Sequence, residues 1–116
     1  MNHDLAESVF VIWSSADVEV AENLVFMYTL NAKLNQWWKT VRLVIWGPTA
    51  RLAAENAMVQ ERLGELLESG VEIWACKACA DQYGTSERLE LLGVKVLYMG
   101  APLTEMLKQG WKQLTF

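Results

Sequence analysis

The chain has 116 residues, the length of one domain, and 53% of them are hydrophobic, which is ample for a packed core. Lys plus Arg number 10 against 14 for Asp plus Glu, a net charge of -4, and no basic cluster stands out to neutralise a phosphate backbone, so a nucleic-acid partner is not expected. The longest uncharged, apolar-leaning run, residues 23–32, is about half of the ~20 residues a membrane-spanning helix requires, and no membrane partner is expected either.

Ser8-Val9-Phe10-Val11-Ile12-Trp13 is a continuous apolar run rich in β-branched and aromatic residues, as in a strand buried on both faces. Helical spacing follows over residues 17 to about 35 and places Val18, Ala21, Leu24, Val25 and Tyr28 on one side. Ser14, Ser15 and Asp17 precede that helix, and capping of its first N–H groups accounts for all three. Val41-Arg42-Leu43-Val44-Ile45-Trp46 repeats the strand pattern and stops at Gly47-Pro48-Thr49. A second helix then carries Leu52, Val59, Leu63, Leu66 and Leu67 in register, and Gly70 suits the left-handed position after it. Val71-Glu72-Ile73-Trp74-Ala75 reads as a third strand, Val94-Lys95-Val96-Leu97-Tyr98 as a fourth and Trp111-Lys112-Gln113-Leu114-Thr115 as a short fifth. Helical stretches at residues 86–92 and 102–109 separate the later strands, with Pro102 in a first turn where its missing N–H costs nothing.

Strands alternating with helices in this way predict a mostly parallel, five-stranded α/β sheet. In such sheets chemistry collects beyond the carboxyl ends of the strands, so the loops that begin at Ser14, Gly47, Cys76 and Met99 are the ones to inspect. Ser14, Ser15, Gly47 and Pro48 are small or polar and leave room for a substrate there.

Cys76 and Cys79 are the only cysteines, three apart and directly after the third strand. A thiol where a strand ends and a helix begins lies near backbone N–H groups and the positive end of a dipole, both of which stabilise a thiolate. Lys77 adds a neighbouring positive charge, and Cys79, one turn on, can resolve a persulfide or sulfenate on Cys76 by forming a disulfide. The first seven residues contain neither a basic stretch nor an apolar one, so a signal peptide is not expected and the cytoplasm is the expected location. Thiols are kept reduced there, which favours a reactive or ligating pair over a structural staple. The competing account is two small buried hydrophobes, since free cysteine is commonly buried and inert.

Other uses of the pair fit less well. A thioredoxin-like unit has its cysteines after an early strand, whereas here they follow the third of a repeating β/α series. Structural zinc takes four ligands, and this pair with a remote His3, which is assigned no role, supplies two dependable ones, so zinc requires sharing between subunits. Covalent haem needs histidine where Ala80 stands, and neither GxGxxG nor a Walker lysine loop is present, so no cofactor is expected. Asp81 and Tyr83 stand near enough in sequence to tune the thiols, although a short solvated helix ending at Gly84 explains them as well.

The first helix carries a second apolar row, Val20, Met27, Leu30 and Leu34, followed at once by Trp37 and Trp38. Such a surface on a monomer is a large exposed patch, and patches of that kind mark association sites, so these six residues are the expected subunit contact of a homo-oligomer.

Val44-Ile45-Trp46-Gly47-Pro48, Gly70 through Asp81 with its cysteine pair, Gly93-Val94, Tyr98-Met99-Gly100, Pro102-Leu103-Thr104 and Leu114-Thr115-Phe116 together resemble the DsrE/DsrF-like family, over nearly the whole chain. That resemblance implies a small three-layer α/β/α fold, assembly into trimers or hexamers, and a cysteine that carries sulfur as a persulfide in a relay. Cys76 matches the family's sulfur-carrying position just after the third strand, and Cys79 belongs to a subset pattern. The resemblance implies that relay members work beside partner subunits and a separate carrier protein, so a sulfur donor or acceptor protein is the expected partner, and the transfer is expected to need neither cofactor nor metal.

Overall fold

The structure is a computed structural model and describes residues 7–116. His3 and most of the N-terminal stretch lie outside the described residues.

The apolar runs form a five-stranded sheet in the order β4-β3-β2-β1-β5. Its strands are β1 (Ser8–Trp13), β2 (Thr40–Ile45), β3 (Glu72–Cys76), β4 (Lys95–Leu97) and β5 (Lys112–Thr115). Every pairing is parallel, with Val11 beside Leu43, Leu43 beside Ile73, Cys76 beside Leu97 and Val11 also beside Leu114. Parallel strands need crossover connections, and these follow the alternation read from the sequence.

Helix α1 runs without a break through Val18–Val20, a π-helical segment Ala21–Phe26, and Met27–Leu34. After β2 come α2 (Thr49–Glu55) and α3 (Ala57–Glu68), after β3 come α4 (Lys77–Tyr83) and α5 (Ser86–Leu91), and α6 (Gly100–Lys108) links β4 to β5. Crossovers in parallel sheets are right-handed. From β1 to β4 the chain steps in one direction, so α1 to α5 share one face; the return from β4 to β5 reverses the step and brings α6 to the other. The pleat then sorts the strand residues. Val9, Val11, Trp13, Leu43, Ile45, Ile73 and Ala75 pack with Ala21, Val25, Phe26, Ala53, Leu63, Leu66 and Leu89 in the larger core. Phe10, Val44 and Cys76 pack with Met99 and Met106 in a smaller core beneath α6. The result is the three-layer α/β/α arrangement.

Two expectations about helices need correction. Residues 49–68 do not form one helix: Asn56 adopts an extended conformation (φ -101, ψ 114), ends α2 and caps α3 by accepting the Val59 N–H at 2.9 Å. In α1 the expected inner stripe holds for Ala21 and Val25, but Val18 and Leu24 face outward, 37% and 43% exposed, while Phe26 is buried edge-on against Trp13 at 5.0 Å between ring centroids. For Leu24 and Phe26 the cause is the π segment, whose wider turn departs from a 3.6-residue register, whereas Val18 lies ahead of it in the first turn of the helix. Asp17 caps α1 as expected, its Oδ1 accepting from the N–H groups of Glu19 (2.8 Å) and Val20 (3.2 Å). No helix among the described residues is long and apolar enough to cross a membrane.

Candidate functional site

Cys76 closes β3 and is the residue immediately before α4, with extended backbone angles (φ -67, ψ 114). Because side chains alternate across a strand, it shares a face with Trp74 rather than with Ala75. That face lies under α6, so Cys76 is only 5% exposed and its thiol sits among Phe10, Val44, Met99 and Met106. It makes no side-chain capping hydrogen bond to α4. Cys79, one turn into α4, is half-buried and touches both cores. Both thiols are free and lie one helical turn apart, near enough for Cys76 to weigh on the ionisation of Cys79.

The loop after β2 reaches the pair through its backbone. Gly47, in the left-handed region at φ +70, donates its N–H to Cys79 Sγ at 3.4 Å. A donor aimed at sulfur favours the thiolate, yet the net effect on Cys79 runs the other way. Burial pushes its thiol above the ordinary value, and the hydrogen bond to Cys76 with the charge that sulfur would carry adds to the rise, so the Gly47 N–H offsets only part of it.

The remaining residues expected around a pocket divide. Ser14 donates its N–H (2.7 Å) and Oγ–H (3.1 Å) to the Phe116 carbonyl oxygen, which also accepts the Ser15 N–H at 3.2 Å. Both serines therefore tie the end of β1 to the residue after β5, and Ser15 Oγ accepts the Asp17 N–H at 3.3 Å. Pro48 is exposed, and its carbonyl accepts the N–H groups of Arg51 and Leu52 as α2 begins. Lys77 turns to Asp81, 3.1 Å from its Oδ2, and lies 5.8 Å from the Tyr98 ring centroid. Asp81 also accepts the Ser86 hydroxyl at 2.6 Å. The Ser86 and Lys77 hydrogen bonds hold its carboxyl below the usual range, while the bond to Asp81 raises the Lys77 ammonium. Met99 and Met106, which line Cys76, were not named as site residues in the sequence reading. The position of Met99 just past β4 is the signal that points to it; Met106 has none short of placing α6.

Among the described residues, no group of three or more His, Cys, Asp or Glu side chains is close enough to hold a metal ion. Two open clefts lie away from the thiols, on α1. One of about 220 Å³ runs between α1 and α3 past Glu22, Phe26, Met27, Leu30, Arg62 and Leu66. The other, about 270 Å³, lies between Leu24, Met27, Tyr28, Asn31 and Trp37. Of the six residues expected at a subunit contact, Met27 (54%), Leu34 (60%) and Trp37 (59%) are exposed. Val20, Leu30 and Trp38 are partly buried against the core, and Trp38 Nε1–H donates to the Tyr28 hydroxyl at 2.9 Å.

Known proteins resemble both the sequence and this arrangement. The structure of the conserved protein of unknown function BT1422 from Bacteroides thetaiotaomicron is 34% identical, with a TM-score of 0.96 over 100% of both chains. The ychN protein from E. coli superposes with a TM-score of 0.71 at 17% identity, over 94% of this chain and 98% of its own. The protein of unknown function MTH1491 from Methanobacterium thermoautotrophicum does so at 0.67 and 22% identity, over 94% and 97%. No functionally curated protein matches. The DsrE/DsrF-like family matches residues 7–116, which takes in every strand, both thiols and the Phe116 clasp on β1; the chain belongs to that family.

Proposed function

We propose that this protein carries sulfane sulfur on its thiol pair, as part of a cofactor-free persulfide relay in a reducing cytoplasm. Family membership supports the chemical class. The observation that carries the reading is the pairing itself: two free thiols one helical turn apart at the carboxyl end of β3, one partly open to solvent and the other lined with hydrocarbon. Cys79 meets the donor. Its thiolate attacks the outer sulfur of a donor persulfide, the donor S–S bond breaks, the donor leaves as a thiolate, and Cys79 holds the extra sulfur. The Cys76 thiolate then attacks that same outer sulfur, the new bond forms on Cys76, and Cys79 recovers its thiolate. Nothing is oxidised overall, and the cargo rests among the apolar side chains around Cys76, Met99 and Met106, away from water. Delivery to an acceptor thiol, on a partner protein, retraces the route.

Cys76 is the carrier in this scheme and Cys79 the assisting thiol, which can also attack the inner sulfur to release HS⁻ and close a Cys76–Cys79 disulfide. Gly47 steadies Cys79; Pro48 and Lys77 border the approach, and Ser14 and Ser15 serve the β1–β5 junction. The test is intact-mass spectrometry after incubation with a small-molecule persulfide. An adduct of about 32 Da is expected on the wild type, held on Cys79 and readily stripped by a small thiol in Cys76→Ser, and loaded more slowly in Cys79→Ser. No adduct on the wild type would overturn the proposal. The burial of Cys76 and the raised thiol of Cys79 favour one alternative, an oligomeric scaffold with passive thiols or zinc shared between subunits, for which the signature is slow alkylation of both thiols without an adduct, with or without bound zinc.

A further inference from the structure

Both cysteines and two of the five methionines meet on one side of the sheet. Cys76, Met99 and Met106, 5%, 1% and 3% exposed, pack in the small core beneath α6, and Cys79 packs against it from the first turn of α4. β4 sets Leu97 beside Cys76, so Met99, two residues further on, arrives next to the thiol where α6 begins. Its carbonyl accepts the Leu103 N–H at 2.9 Å, which fixes its backbone there. Among the described residues, no carboxylate or imidazole joins the two cysteines to complete a three-ligand set. The donors gathered at this spot are therefore all sulfur. Thiolate and thioether sulfur are soft ligands suited to copper(I), whereas calcium, magnesium and manganese take oxygen, and structural zinc fills four positions. The two thioethers are not equivalent. Met106 Sδ already accepts a hydrogen bond from Arg42 Nη1–H at 3.2 Å, and a guanidinium there repels a second cation. Met99 Sδ has no such donor among the described residues. On the other side of the pair, the Gly47 N–H aimed at Cys79 Sγ from 3.4 Å is the kind of outer hydrogen bond that orients a ligating sulfur.

We propose that Cys76, Cys79 and Met99 form a three-sulfur site for copper(I). The ion enters at half-buried Cys79, binds its sulfur as the thiol proton leaves, and is then shared inward with Cys76, which loses its proton in turn, and with the neutral Met99 thioether. Two protons are released for each ion bound, and no electron is transferred. Met106 stays outside the site and holds Arg42. A bound ion withholds both thiols from a persulfide, so the two uses exclude each other at any moment. The metal site does not rest on the sulfur-carrying reading, because everything that tests it is a property of the bound metal.

The test is anaerobic titration of the reduced full chain with copper(I) held by the competing chelator bathocuproine disulfonate. The wild type is expected to withdraw one ion per chain, and X-ray absorption at the copper edge to show three sulfur neighbours with no nitrogen or oxygen. Growth on selenomethionine leaves both thiols unchanged and is expected to turn one of those neighbours into selenium. Met99→Leu conserves volume in the core; it is expected to lose the selenium neighbour and to bind at least about tenfold more weakly, since even an outer partner of a metal ligand is worth that much. Met106→Leu is expected to bind as the wild type does and to keep its selenium neighbour. Copper left wholly with the chelator, a wild-type site without selenium, an affinity indifferent to Met99→Leu, or a selenium neighbour lost in Met106→Leu would each overturn the proposal. Persulfide loading is measured on metal-free protein, so its success or failure moves none of these readouts.

Discussion

At residue scale the two most consequential side chains are Arg42, on the α6 face of the sheet, and Cys79, in the first turn of α4. Arg42 projects from β2 with its guanidinium 3.7 Å from the Trp74 ring centroid and 4.5 Å from that of Trp111, while Nε–H donates to Glu72 at 2.8 Å. Its side chain is only 13% exposed. A flat, delocalised cation fills a slot between two indoles that a lysine ammonium cannot, so Arg42→Lys is expected to destabilise by about 1–2 kcal/mol in chemical denaturation, nearly as much as Arg42→Ala. For Cys79 the raised thiol makes alkylation slow at pH 7, with a rate that keeps climbing as pH passes the ordinary thiol value of about 8.5. The linked effect on folding has a definite sign. Because the folded state disfavours the thiolate, the contribution of Cys79 to stability is complete below about pH 8.5 and declines as pH rises through its folded value, a dependence that Cys79→Ser should remove from the alkaline limb of a melting-temperature profile.

At the scale of elements, local signals decided where segments begin and end. The strands were legible because a parallel strand covered on both faces leaves an unbroken apolar run, and Gly93 marked the start of β4 by its left-handed conformation (φ +95). Gly93→Ala is expected to cost at least about 1–2 kcal/mol, since a Cβ there meets Leu67 Cδ1 at 3.0 Å in a backbone region alanine avoids. The break at Asn56 went unread: an asparagine inside an apolar 3.6-residue pattern gives no sign that its side chain will turn to cap the following helix. Asn56→Ala is expected to remove the bond to the Val59 N–H and cost about 1 kcal/mol in thermal or urea melts. The outward turn of Leu24 was equally hidden, because a constant-pitch reading has no place for a π segment. In the candidate site the spacing of Cys76 and Cys79 was plain, but their exposure was not: what covers Cys76 is Met99 and Met106, brought from later in the chain by α6.

For the molecule as a whole, what the amino-acid order could not disclose was the sequence of strands across the sheet. Alternating strands and helices imply parallel pairing, yet the same alternation accommodates β5 on either edge, and only packing places it next to β1. That placement explains why Ser14 and Ser15, at the end of β1, hold the Phe116 carbonyl. It also bears on biosynthesis. β1 leaves the ribosome ahead of the other four strands, and the edge it offers at residues 9–12 lacks its β5 partner until residues 112–115 have emerged and docked. A nascent chain stalled before Lys112 would display a naked, strongly apolar ribbon to every other polypeptide nearby, so early shielding of that ribbon by a chaperone, or prompt release of the finished chain, separates productive synthesis from clumping.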